Sequence, residues 1–102
     1  MASVAYLAPL TGIDESECRR REEISNDLTA ADVTVLQVTD GPLSIESEIE
    51  HEVAVESMLG LLDAREDEFD AFVIGCFGDP GIHAARELTS KPVVGPGTAI
   101  RA

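Results

Sequence analysis

Apolar and polar positions alternate along this chain in four short runs, with two long stretches of helical period between them. Ser3–Ala8 (SVAYLA) is apolar and stops at Pro9, which reads as a first strand. Glu15–Ala31 is polar, with apolar punctuation at Ile24, Leu28 and Ala31, a helical spacing that predicts one narrow face on a sheet. Cys18 falls near that face and is expected there as a small buried hydrophobe. Asp32–Thr39 (DVTVLQVT) reads as a second strand, nearer the sheet edge, and Asp40-Gly41-Pro42 ends it. A long helix is expected from about Ile45 to Ala64. Ser44 would be its cap, Glu48 would complete a capping box, and Ile49, Val53, Met58, Leu59 and Leu62 would form its inner face. Arg65–Asp70 is a charged connector.

The last third organises the rest. Ala71–Gly75 is a buried strand by its β-branched and aromatic content. A glycine-rich turn follows, then a helix with Asp79 as N-cap and Pro80 at its first position, then the start of a fourth strand at PVVG. The order βαβαβαβ with short connections predicts an α/β domain. We expect a flavodoxin-like parallel sheet of four strands, ordered 2-1-3-4, with helices on both faces and right-handed crossovers. The closing GPGTAIRA reads as the opening of an element that the chain does not complete.

Composition narrows the function classes. At 102 residues, 44% of them hydrophobic, the sequence suits one domain, residues 1–102, with one modest core. No apolar run approaches the ~20 residues that span a bilayer. No basic segment precedes an apolar one at the N-terminus, which argues against a signal peptide and points to the cytoplasm. Acidic residues outnumber basic ones by 20 to 7, for a net charge of −13. Such a surface repels phosphates, so nucleic acid is excluded as a partner. The acids are spread over helices and loops, as on a surface kept soluble in concentrated salt, although a docking face for a basic partner is the alternative. Two cysteines, Cys18 and Cys76, are too few for a disulfide scaffold.

Cys76 has the strongest chemical case. It stands where the third strand ends, and open α/β sheets place their ligands at the carboxyl ends of strands. Gly78 and Gly81 let backbone amides come close to a ligand, and a helix starting at Pro80 would favour a thiolate or a bound carboxylate. Such a cysteine is a nucleophile or a proton-transfer base; a buried structural thiol is the plainer reading. Cys76, Asp79 and His83 could face one another across the turn, but with Asp79 engaged as a cap they make too few ligands for zinc, so no metal is expected. His83 suits the helix surface, and His51, among glutamates, suits solvent.

The run GCFGDPGIHAARE followed by PVVG resembles the signature of the aspartate/glutamate/hydantoin racemase superfamily, closest to its hydantoin and allantoin racemase branch. GPLSIESEIEHEVAVESMLGLL is similar to that branch's second helix and the loop before it. The resemblance implies cofactor-independent inversion of a carbon next to a carbonyl, in a hydantoin-like or amino-acid substrate. Two cysteines would act from opposite faces, one thiolate removing the proton while the other thiol returns one. Cys76 matches the first cysteine, and Phe77, Gly78 and Asp79 match the turn that shapes the pocket. Family members have two such lobes, and the second cysteine comes from the second lobe; Cys18 has no counterpart in the family. The family's Asn-Pro-Asn-Thr-like substrate loop reads Ala8-Pro9-Leu10-Thr11-Gly12 here, so Pro9 and Thr11 are its remaining matches. The resemblance therefore implies one lobe working with a separate second lobe, or a self-associating half whose Cys76 copies face each other. The third possibility is a non-catalytic domain retained for binding or assembly.

Overall fold

The computed structural model describes residues 2–28, 30–43, 45–75 and 80–95. The elements run β1 (Ser3–Ala8), α1 (Glu15–Leu28), β2 (Asp32–Gln37), α2 (Glu48–Arg65), a 3₁₀ turn at Glu66–Glu68, β3 (Ala71–Ile74), α3 (Ile82–Leu88) and β4 (Val93–Val94). The four strands form one parallel sheet in the order β2-β1-β3-β4, the predicted topology. β2 lies on one side of β1 and β3 on the other. Right-handed crossovers therefore put α1 on the opposite side of the sheet from α2 and α3.

Strand alternation decides the core. Ala5 pairs with Phe72, Leu7 with Ile74, and Phe72 with Val93, so these side chains share one face. All five are buried there with Met58 and Leu62 of α2 and Ile82 and Ala85 of α3. Phe69 closes the amino end of this core, its ring edge-on to Phe72 at 6.2 Å between centroids.

Three expectations about the helices are corrected. α2 starts at Glu48, not Ile45, and its cap is Ser47, whose side chain accepts from the Glu50 amide. Glu50 returns the contact by accepting from the Ser47 hydroxyl and the Glu46 amide. The capping box is thus Ser47/Glu50 in place of the expected Ser44/Glu48; Ser44 itself lies outside the described residues. Its inner face is Ala54, Met58 and Leu62, while Ile49 and Val53 are 77% and 42% exposed on the opposite side. α3 begins at Ile82 with Gly81 as N-cap, so Pro80 precedes the helix and is not its first residue. Asp79 lies outside the described residues.

α1 also departs from expectation. None of its described side chains is buried, and Ile24 is 45% exposed. Its polar side chains instead hold the outer edge of β2. Asn26 accepts from the Val33 amide at 2.8 Å and donates to the Val33 carbonyl, and Glu22 accepts from the Val35 amide at 3.0 Å. At the other edge, Arg86 of α3 donates twice to the Val93 carbonyl. Both edges of the sheet are therefore blunted by side chains rather than left open to further strands. Among the described residues, no helix is long and apolar enough to cross a membrane.

Candidate active site

In an open parallel sheet the crevice for a ligand forms at the carboxyl ends of neighbouring strands whose connections leave toward opposite faces. Here that point lies between β1 and β3: the chain after β1 enters α1, and the chain after β3 enters α3. Pro9–Thr11 follows β1, and Cys76 follows β3 by two residues. The topology sets the carboxyl ends of β1 and β3 side by side. Cys76, Phe77, Gly78 and Asp79 themselves lie outside the described residues.

The β1 side of the rim is braced by the chain after β2. The Thr11 amide donates to the Pro42 carbonyl at 2.9 Å, and the Thr11 hydroxyl donates to the Gly41 carbonyl at 3.2 Å. Gln37 clasps the same loop, accepting from the Ile13 amide at 3.1 Å and donating to its carbonyl at 2.8 Å. Gly41 must be glycine for space, because a Cβ there would stand 2.5 Å from Val38 Cγ2 and 3.2 Å from the Pro9 carbonyl oxygen. Pro9 is fully buried and anchors the loop. Its ring thus serves the loop's shape, and the Thr11 proton is engaged with Gly41. The Thr11 oxygen keeps acceptor capacity toward a ligand N–H.

The β3 side is held by β1. The Gly75 amide donates to the Leu7 carbonyl at 2.8 Å, and the Tyr6 ring lies over Gly75 where a side chain would otherwise stand. Beyond the turn, Pro80 is fully buried and Gly81 has φ 71°, the left-handed region that favours glycine. A Cβ on Gly81 would also meet Val55 Cγ1 at 2.9 Å. Gly81 is therefore required by its contact with α2 and by its backbone. Sequence reading missed Tyr6, Gln37 and Gly41 as site-building residues. The signal that existed for Tyr6 was a glycine closing an apolar strand beside an aromatic one.

The remaining chemistry-bearing residues lie elsewhere. Cys18 is half-buried rather than a core residue, with Gln37 Nε2 at 3.8 Å from its sulfur. It belongs to the α1–β2 flank, where a shallow cavity of about 360 Å³ is bounded by Cys18, Val35 and Gln37. His83 is exposed on α3, as expected. His51 is not simply solvated: its Nδ1 is buried without a hydrogen-bond partner, and its ring shares a cluster with the exposed Glu48 and Glu52. That cluster occupies the first turns of α2, where the macrodipole disfavours a cation. A larger groove of about 510 Å³ runs between the end of β2 and the outer flank of α2, bounded by Val38, Asp40, Ser57 and Gly60.

Comparison with known proteins places these features in context. A family model described as Asp/Glu/Hydantoin racemase matches residues 14–101. A hydantoin racemase of Pseudomonas sp. (strain NS671) is 42% identical over 77 residues, covering 72% of this chain and 31% of that protein. A hydantoin racemase of Rhizobium meliloti is 44% identical over 64 residues, covering 62% of this chain and 27% of that protein. Among solved structures, the allantoin racemase from Klebsiella pneumoniae superposes with a TM-score of 0.81 at 26% identity, over 93% of this chain and 39% of that one. The chain thus spans about a third of the length of the curated relatives it matches.

Proposed function

This chain belongs to the Asp/Glu/hydantoin racemase family, and from that premise we propose that it is one lobe of a cofactor-independent racemase or epimerase with Cys76 as acid/base. The observation that carries this reading is the coincidence of the family match over residues 14–101 with a sheet whose switch point lies between β1 and β3, the strands that Pro9–Thr11 and Cys76 follow in the sequence. The substrate class is a hydantoin-like ring or an amino acid, in keeping with the hydantoin and allantoin racemases it resembles.

The chemistry follows from carbon acidity. A hydrogen on a carbon next to a carbonyl leaves as a proton when the resulting charge can spread onto the carbonyl oxygen. The Cys76 thiolate takes that proton and becomes a thiol, and a second thiol on the opposite face delivers one to the planar carbon. No electrons are transferred and nothing is consumed, so the step needs only an acid, a base and donors for the enolate oxygen. Phe77, Gly78 and Asp79 would shape the pocket beside Cys76. Pro9 and Thr11 would border it from the β1 side. The second thiol would come from a second lobe, continuous or separate, or from another copy of this chain.

A second reading has its own support. The end of β1 and the loop after it carry Ala8 and Leu10 where the family's segment has asparagines, the Pro9 ring is buried, and the Thr11 proton is engaged with Gly41. A lobe retained for binding or assembly would tolerate such a loop. Solvent-deuterium exchange separates the two. Hydantoins, allantoin and aspartate are incubated with the protein in D₂O at high salt, beside a Cys76→Ala control. Exchange at the α-carbon that vanishes in the control supports catalysis, and racemisation with it shows that a second acid is present. Absence of exchange in both samples, with a second lobe supplied, favours the non-catalytic reading.

A further inference from the structure

Gly60 stands in the interior of α2, where glycine is among the least favourable residues and alanine the most favourable. Among the described residues nothing asks for it. Its φ is outside the left-handed region, and a Cβ built on it would meet nothing within 4 Å. At Gly12, Gly41, Gly75 and Gly81, by contrast, a Cβ would collide with a neighbouring side chain. Gly60 opens onto the groove of about 510 Å³ beyond the end of β2. Ser57, Gly60, Leu61 and Ala64 recur at helical spacing along one wall, and Val38 and Thr39 line the other. α2 packs against β1 and α3, and Leu36 of β2, in register with buried Leu7, is only partly buried. The slot therefore lies where a further helix would run beside α2. Small residues at Ser57, Gly60 and Ala64 let such a helix come close. Ile49 and Val53, 77% and 42% exposed, extend the same flank toward the amino end of α2.

Charge decides what fills the slot. Asp40 and Glu56 line the groove, both exposed, and neither joins an ion pair among the described residues. A second copy has little to offer them. Arg20 and Arg21 are held by Glu17, Arg65 by Glu68, Arg86 by the Val93 carbonyl, and Lys91 by the Glu66 and Phe69 carbonyls. Among the described arginines and lysine, only Arg19 has no such contact, and with a net charge of −13 two copies repel. We propose that this groove is a docking site for a basic amphipathic helix of a partner protein. Its apolar ridge would lie on Val38, Gly60, Leu61 and Ala64, and its lysines or arginines would meet Asp40 and Glu56. The inference uses no residue of the racemase crevice and stands apart from that reading. Asp40 is followed by Gly41 and Pro42, whose carbonyls hold Thr11, so a docked helix would border the loop after β1.

The probe is a fluorescein-labelled amphipathic peptide of leucine, alanine and lysine, about 20 residues long so that it forms a helix. Its binding is read by anisotropy and is expected to weaken as salt rises from about 0.1 M to about 1 M. Gly60→Leu fills the groove with a better helix former. It is expected to weaken the probe about tenfold while the urea midpoint stays level or rises, which separates blocked docking from unfolding. The pair Asp40→Asn/Glu56→Gln is expected to weaken binding about tenfold and to flatten its salt dependence. Glu23→Gln/Asp27→Asn removes the same charge from α1 and is expected to change binding less than about twofold. No binding of the probe by the parent overturns the proposal. So does binding that ignores Gly60→Leu, or that falls equally with the α1 pair, since attraction to the net charge alone then accounts for it. A parent that sediments as a dimer and becomes a monomer in Gly60→Leu also overturns it, in favour of a second copy in the groove.

Discussion

The carboxamide of Asn26 pairs with both backbone groups of Val33, accepting from its amide at 2.8 Å and donating to its carbonyl at 3.3 Å. A side chain of α1 thereby takes the place a neighbouring strand would occupy. With no described side chain of α1 buried, this pair, Glu22 on Val35 and Gln37 on Cys18 are polar ties between the helix and the sheet.

Asn26→Ala is therefore expected to open the edge of β2. Loss of the pair should cost about 1–3 kcal/mol, since two backbone groups lose their partner. In hydrogen exchange, the Val33 amide should lose protection while Phe72, in the sheet centre, keeps it. Equal protection of Val33 in both proteins would mean that α1 is held by other contacts.

The cap of α2 gives a sharper contrast. Ser47→Ala should destabilise the protein by about 1 kcal/mol, because the Glu50 amide loses its acceptor. Ser44→Ala, at the position the sequence pattern favours, should change the urea midpoint by much less. A larger effect at Ser44 would return the cap to the earlier position.

Lys91 is the single lysine of the chain, and its ammonium donates to the Glu66 carbonyl at 2.6 Å and the Phe69 carbonyl at 2.7 Å. Those carbonyls lie where the chain turns from α2 into β3. Lys91→Met keeps the aliphatic stem but removes the donors, and a loss of about 1–3 kcal/mol in urea unfolding is expected. Arginine, with its different fork geometry, should restore only part of it. Wild-type stability in Lys91→Met would show the two contacts to be incidental.

Acid should destabilise the amino end of the sheet first. The Ser3 amide holds the Asp70 carboxyl below its ordinary value of 3.8, aided by the Ser3 hydroxyl and the Lys91 charge. The Thr89 hydroxyl, then Asp67 and Lys91, lower Glu66 from 4.5. Arg20 draws Glu17 down to about 2. A carboxylate with a depressed folded pKa adds stability above its unfolded value, and that stability is lost as pH falls through the folded value. The urea midpoint should therefore fall from about pH 4.5 toward pH 2 when measured at ~1 M salt, where repulsion among the acidic groups is screened. Asp70→Asn should flatten part of that fall; an unchanged slope would remove Asp70 from the account.

The fold was legible because its signals are local. Apolar runs of four to six residues closed by Pro9, Gly41 and Gly75 mark strands, and the helical stretches between them allow few parallel topologies once crossovers are right-handed. The ends and faces of helices were less legible. Ser44 precedes Glu48 by four residues, whereas Ser47 precedes Glu50 by the three that a capping box uses, and α2 starts from Ser47/Glu50. Ile49 and Val53 fit the period of a buried stripe, yet the core takes Ala54, Met58 and Leu62, because α2 meets the sheet on that side. Thr11 was legible only as a candidate, by resemblance; that its proton goes to Gly41 depends on a residue 30 positions away.

The sequence by itself determined the order of elements, the single parallel sheet and the family to which the turn after β3 belongs. Those follow from periodicity and from residues adjacent in the chain. Only the tertiary structure decided that α1 serves the edge of β2, that Gly81 presses on Val55, and that Tyr6 seats Gly75. Each of these joins elements distant in sequence through contacts of a few ångströms. Close packing makes such contacts specific, and no local pattern encodes them.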